Sequence, residues 1–80
     1  MDSFLGEIRL FSFGYTPVGW MECAGQKLSV QQYMSLYSVI GNQYGGDMGT
    51  FCLPNLSSNA LAGGKSKYYI SLQGEFPEKQ

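Results

Sequence analysis

The chain contains no histidine. Its absence removes the commonest general base and the commonest metal ligand, so no Ser-His or Cys-His nucleophile can be built within it. Zinc patterns that use histidine go with it, and two cysteines cannot form a four-cysteine site. Charge is scarce as well. Five Lys+Arg and six Asp+Glu make up 14% of the 80 residues and leave a formal net charge of −1; ordinary chains carry roughly 25% charged residues. With a sequence pI of about 5.1, the basic footprint of a nucleic-acid binder is excluded. No apolar run approaches the ~20 residues of a membrane helix. The first twenty residues include Glu7, Arg9, Gly14 and Pro17 and do not read as a signal peptide. The expected product is one soluble domain spanning 1–80, made in the cytoplasm. A domain this small buries roughly 60–65% of its unfolded surface, so a partner, a disulfide or self-association would help it.

What is present is glycine, aromatic residues and short alternating runs. There are 11 Gly and 12 aromatics (one Trp, six Tyr, five Phe). Phe4 to Phe13 reads as a first strand, with Ile8 and Leu10 on one face and Glu7, Arg9, Phe11 and Phe13 on the other. Gly14 to Gly19 is a loop around Pro17, Trp20 to Cys23 a short strand, and Ala24-Gly25-Gln26 a turn. Lys27-Leu28 pairs back briefly. Ser29 and Gln32 have the spacing of a capping box, and Leu28 with Tyr33 that of a hydrophobic staple. Tyr33, Leu36, Tyr37 and Ile40 recur at helical spacing and Gly41 is a stop, which predicts a helix over Val30–Ile40. Gln43 to Gly49 is glycine-rich; Thr50–Leu53 is a short strand ended by Pro54. Residues 57–67 read as a linker, Tyr68–Gln73 as a last strand with period-two alternation, and 78–80 as a frayed tail. The sum is a small α+β domain: short, mostly antiparallel strands, one central helix and long Gly-rich loops.

Little chemistry is available. Gly45-Gly46-Asp47-Met48-Gly49 lacks the Lys and the following helix that a P-loop needs. It also lacks the alternating Asp/Asn ligands of a calcium loop, so Asp47 reads as a turn residue. Glu7 and Glu22 are a candidate carboxylate pair, but they read as solvated strand charges, Glu7 beside Arg9. No catalytic residue, metal or cofactor is expected. Cys23 and Cys52 read as two reduced thiols acting as small hydrophobes. The alternative, a disulfide, would close a loop of about 30 residues, worth roughly 3–4 kcal/mol. The aromatics outnumber what a small core holds, and exposed Tyr serves protein interfaces and sugar stacking alike. Tyr69, on the polar face of the last strand, is the leading surface candidate, with Tyr15, Tyr37, Tyr44, Asp47 and Met48 as further interface or ligand contacts. Between Leu28 and Gly64 the only charged residue is Asp47, which marks the region around Tyr37, Tyr44 and Met48 as a subunit contact.

Several blocks in order resemble the phage tail-collar domain, including the microcystin-dependent proteins. They are Gly6-Glu7-Ile8-Arg9-Leu10-Phe11; Pro17-Val18-Gly19-Trp20 with Cys23-Ala24-Gly25-Gln26; Gln32 to Gly41; Tyr44-Gly45-Gly46-Asp47; and Thr50-Phe51-Cys52-Leu53-Pro54-Asn55-Leu56. Tyr68 to Pro77 resembles the family's C-terminal strand. Ser57-Ser58 stands where the family has Arg-Gly, and the long segment that usually follows is missing. The resemblance implies a structural subunit of a tail fibre, collar or tip, or of a phage-derived tail-like particle. It implies a homo-oligomer, a trimer by analogy, in contact with other tail proteins, and no catalysis. A small carbohydrate- or receptor-binding module, using exposed aromatics on a surface glycan, is the alternative. The short link over 57–67 brings the last strand back, so the Phe4–Phe13 and Tyr68–Gln73 strands are expected to pair or lie side by side.

Overall fold

A computed structural model describes residues 3–12, 15–56 and 66–77. In chain order the elements are β1 (Ile8–Phe11), β2 (Trp20–Glu22), β3 (Lys27–Ser29), α1 (Met34–Ile40), β4 (Thr50–Cys52) and β5 (Lys67–Ser71). They form a three-stranded antiparallel sheet in the order β1-β5-β2 and a two-stranded antiparallel ribbon of β3 and β4. The last strand is therefore the middle one: Ile70 stands opposite Ile8 on one side and Met21 on the other. The first and last strands do pair, as the short link between them led us to expect. The domain is mostly sheet, with one short helix, so sheet weighs more than the α+β reading allowed.

The long first strand is divided. Gly6 takes φ 83°, and the Glu7 N–H donates to the Phe4 carbonyl at 3.0 Å, a turn that interrupts the ladder. Beyond it Phe4 makes an isolated parallel bridge with Glu75, and the Leu5 N–H donates to the Glu75 carbonyl at 2.8 Å. Leu5 is thereby turned into the core. Gly74 permits this crossing. Its φ is +119°, and a Cβ there would collide with the Ser3 carbonyl oxygen. Phe13, the expected end of the strand, lies outside the described residues.

The helix is shorter than the predicted Val30–Ile40. Ser29 still accepts the Gln32 N–H on its Oγ at 3.3 Å, half of the expected capping box. However, Ser29 belongs to β3 and pairs with Thr50, and Tyr33 sits at φ −121°, ψ 44°. Residues 30–33 are consequently turns, and helical geometry begins at Met34. The expected apolar stripe is correct. Leu36 and Ile40 are buried in the core, with Tyr33 and Tyr37 packed against it. Gly41 ends the helix at φ 60°, ψ −152°, a region that essentially only glycine adopts, rather than the left-handed helical geometry of a standard C-cap.

The core joins Leu5, Cys23, Leu28, Leu36, Ile40, Phe51, Leu53 and Ile70. It lies on the sheet face carrying Ile70 and Met21, between the sheet and the elements α1, β3 and β4. The opposite face has a cluster of its own. Phe11 meets Trp20 edge-on, with ring centroids 5.0 Å apart, and meets Tyr69 at 5.8 Å. The Arg9 guanidinium lies over the Trp20 ring, 5.7 Å from its centroid. Three-stranded pairing puts Arg9, Phe11, Trp20, Glu22 and Tyr69 on this one face.

Candidate interaction surface

The residues singled out from sequence are dispersed over the fold. Met48 is 99% exposed and Tyr44 45% exposed; both lie in the connection from α1 to β4. Three main-chain contacts hold that connection in shape: the Gly45 N–H to the Asn42 carbonyl, the Cys52 N–H to the Gly45 carbonyl, each at 3.0 Å, and the Thr50 N–H to the Asp47 carbonyl at 3.2 Å. Asp47 begins a turn, as expected, but its carboxylate is taken by a lysine and not by the main-chain N–H groups such a turn residue was expected to bind. Its N–H donates to Thr50 Oγ1 at 3.0 Å, and its carboxylate accepts the Lys27 ammonium at 2.8 Å. That contact holds the Asp47 carboxyl below the ordinary carboxylate range and the Lys27 ammonium above its own. Tyr37 is half-buried, its ring centroid 5.3 Å from that of Phe51, so it contributes to the core as much as to the surface. Tyr15 is exposed in the β1–β2 connection.

Tyr69 requires a correction. Alternation along the last strand placed it on a solvated face with Ser71 and Gln73, as the leading exposed aromatic. It is 3% exposed, and Ser71 is fully buried. As the middle strand, β5 has a neighbour on each side. The cross-strand partner Arg9, with Phe11 and Trp20, covers Tyr69 from above. The alternation was read correctly, but it cannot show that the second face carries its own cover.

The two carboxylates considered for acid–base work do not meet. Glu7 precedes β1 and Glu22 ends β2, with β5 between; two strand spacings and a two-residue offset along the strands put them about 12 Å apart. Each has its own partners. Glu7 Oε2 accepts Arg9 Nε at 2.5 Å and its Oε1 accepts the Phe4 N–H at 2.9 Å. The Arg9 hydrogen bond, aided by the Phe4 N–H, lowers the Glu7 pKa from the ordinary 4.5. Glu22 lies 3.8 Å from the Lys67 ammonium. Cys23 and Cys52 are free thiols. Burial, with the Glu22 charge nearby, pushes the Cys23 thiol up to about 11, so it remains protonated and inert at neutral pH. Among the described residues no cluster of three His, Cys, Asp or Glu could hold a metal, and no helix is long and apolar enough to cross a membrane.

Sequence reasoning missed a second set of exposed apolar residues. Val18 is 95% exposed, and Phe4, Met34, Phe76, Ile8 and Leu10 are exposed too. The signal for Ile8 and Leu10 was present, since they share one face of a strand; what was missing was that the strand lies at an edge. An open groove of about 640 Å³ runs past Phe4, Glu7, Arg9, Gln73 and Glu75 where the two ends of the chain cross.

The order and spacing of the blocks in this fold are those of a known family. A family model described as the phage tail collar domain matches residues 6–61. The chain belongs to the phage tail collar domain family. This is a structural family of phage tails. The match takes in β1, β2, β3, α1 and β4 and ends before β5. The collar domain's three-stranded sheet is thus completed by a strand outside the matched segment. No significant similarity to a curated protein or to a solved structure was found.

Proposed function

We propose that this collar domain is an assembly subunit of a phage tail fibre, collar or tip, or of a phage-derived tail-like particle. Copies of it associate with one another and with other tail proteins, and the chain ends up in the virion or particle. The family match carries the reading. The surface supports it: Met48, Val18, Tyr15 and Met34 are exposed apolar side chains on a chain with few charges to keep such residues apart. The test is sedimentation of particles from cells that produce this chain. An assembly subunit travels with the particle at a fixed stoichiometry and survives high-salt washing. A chain that stays at the top of the gradient, and binds glycans as a monomer through Tyr15 or Tyr44, overturns the proposal in favour of a carbohydrate-binding module.

A further inference from the structure

The groove at the crossing of the two chain ends has no part in the assembly reading. Its volume of about 640 Å³ lies within the range of small-ligand sites. The fold builds it from opposite ends of the sequence. Phe4 and Glu7 belong to one turn, closed by the Glu7 N–H on the Phe4 carbonyl. Phe4 is then bridged to Glu75, which brings Gln73 and Glu75 into the same lining. Phe4, Gln73 and Glu75 all lie outside residues 6–61, so much of the groove is not part of the stretch matched to the family.

Three kinds of group meet there. The Phe4 ring is half-exposed and offers an apolar platform. Glu7 is an acceptor already fixed in place, with Oε1 on the Phe4 N–H and Oε2 on Arg9 Nε. Each of those oxygens keeps a second lone pair, and an acceptor held before binding costs less entropy to use. Gln73 and Glu75 are exposed; the amide brings two donors and an acceptor, the carboxylate two acceptor oxygens. The charges of Glu7 and Arg9 offset one another in their ion pair, and Glu75 adds a negative one, so an anion finds no net attraction. Among the described residues no third carboxylate or thiol joins Glu7 and Glu75 to hold a metal ion. A neutral ligand with many hydroxyls and one apolar face fits every group. Its hydroxyls donate to the carboxylates and accept from the amide, and its C–H face lies on the ring. We propose that the groove binds a pyranose glycan. One sugar ring stacks on Phe4, and its hydroxyls bond to Glu7, Gln73 and Glu75. The groove is open, so it takes a stretch of a longer chain and not an enclosed single sugar. This goes beyond the assembly reading, requires no contact between copies, and puts the glycan at Phe4 and not at Tyr15 or Tyr44.

An NMR titration of the full chain tests it, with cellobiose, lactose and N,N′-diacetylchitobiose as the probes. At millimolar concentration at least one of them should shift the main-chain amides of Phe4, Gln73 and Glu75 and the side-chain amide of Gln73, and leave Tyr44 and Met48 in place. Phe4→Ala and Gln73→Ala should each weaken that binding by about tenfold or more. Both positions are exposed, so both variants should fold, which circular dichroism checks. Tyr15→Ala and Tyr44→Ala should change the affinity by less than about twofold. No shift with any of the probes overturns the inference. So do shifts centred on Tyr15 or Tyr44, and so does ethylamine moving the groove amides as far as the sugars do, since that is capture of a cation by carboxylates. Sedimentation with particles keeps this inference apart from the assembly reading. Phe4→Ala should still enter particles. Its exclusion would make Phe4 a packing contact, which overturns the glycan site and leaves the structural role intact. A parent chain absent from particles counts against the structural role whatever the groove binds.

Discussion

Replacing Tyr69 by alanine separates the two meanings of an aromatic residue on this small domain. At 3% exposure the ring is buried against Phe11, on the sheet face away from the main core. Removing a buried aromatic side chain costs about 3–5 kcal/mol, the lost transfer energy plus the cavity left behind. A chain of 80 residues has a total stability of about 4–12 kcal/mol at ordinary per-residue values. The substitution therefore removes between a quarter of the stability and all of it. For a domain of this size even the lower cost lowers the melting temperature by about 12–24 °C. In urea, with a slope near ~1 kcal/mol/M, the midpoint falls by about 3 M or more. Tyr44→Ala is the matched control. It truncates the same side chain at an exposed position, and should stay within about 0.5 kcal/mol of the parent. Urea titrations of the three proteins, followed by far-ultraviolet circular dichroism and Trp20 fluorescence, make the comparison. Equal effects at positions 69 and 44, or a Tyr69→Ala protein as stable as the parent, would refute the second cluster and return Tyr69 to the surface.

Further outcomes follow from the geometry. Gly74→Ala should cost more than Gly49→Ala. Both positions have positive φ, but the new Cβ would strike the Ser3 carbonyl at position 74 and meet nothing within 4 Å at position 49; equal thermal shifts would mean the chain ends do not cross there. Glu7 should titrate below its ordinary 4.5 because Arg9 and the Phe4 N–H favour the carboxylate, and Arg9→Ala should move its carboxyl-carbon midpoint in NMR back up. The sign for stability follows: the contact contributes above the unfolded-state pKa and is lost as pH falls through the lower folded-state value. Cys23 should resist alkylation at pH 8 until the protein unfolds, since its thiol titrates near 11 and is buried; labelling of native Cys23 as fast as a free thiol would contradict the packing.

The sequence by itself determined the local pieces. Its shortages excluded histidine chemistry, a basic nucleic-acid surface and a membrane helix. The spacing of Tyr33, Leu36, Tyr37 and Ile40 fixed which helical face meets the core, because that relation depends only on the geometry of one turn. Gly25 marked a position of positive φ, 80°, and the ordered blocks marked the family for the same local reason. Where β5 lies was a different kind of question. Period-two alternation gives two faces but not a strand's neighbours, so Tyr69 and Ser71 looked solvated until β1 and β2 were placed on either side of them. Strand 4–13 looked continuous until Phe4 was required to reach Glu75, and the helix looked longer until Ser29 was required by β3. Each of these outcomes depends on contacts between residues far apart in the chain, which no local pattern records. Tertiary structure alone decided that β5 is the middle strand, with β1 and β2 on either side of it. Ile8 and Leu10 are ordinary strand residues in sequence; their exposure follows from the position of β1 beside β5, with no strand on its other side among the described residues.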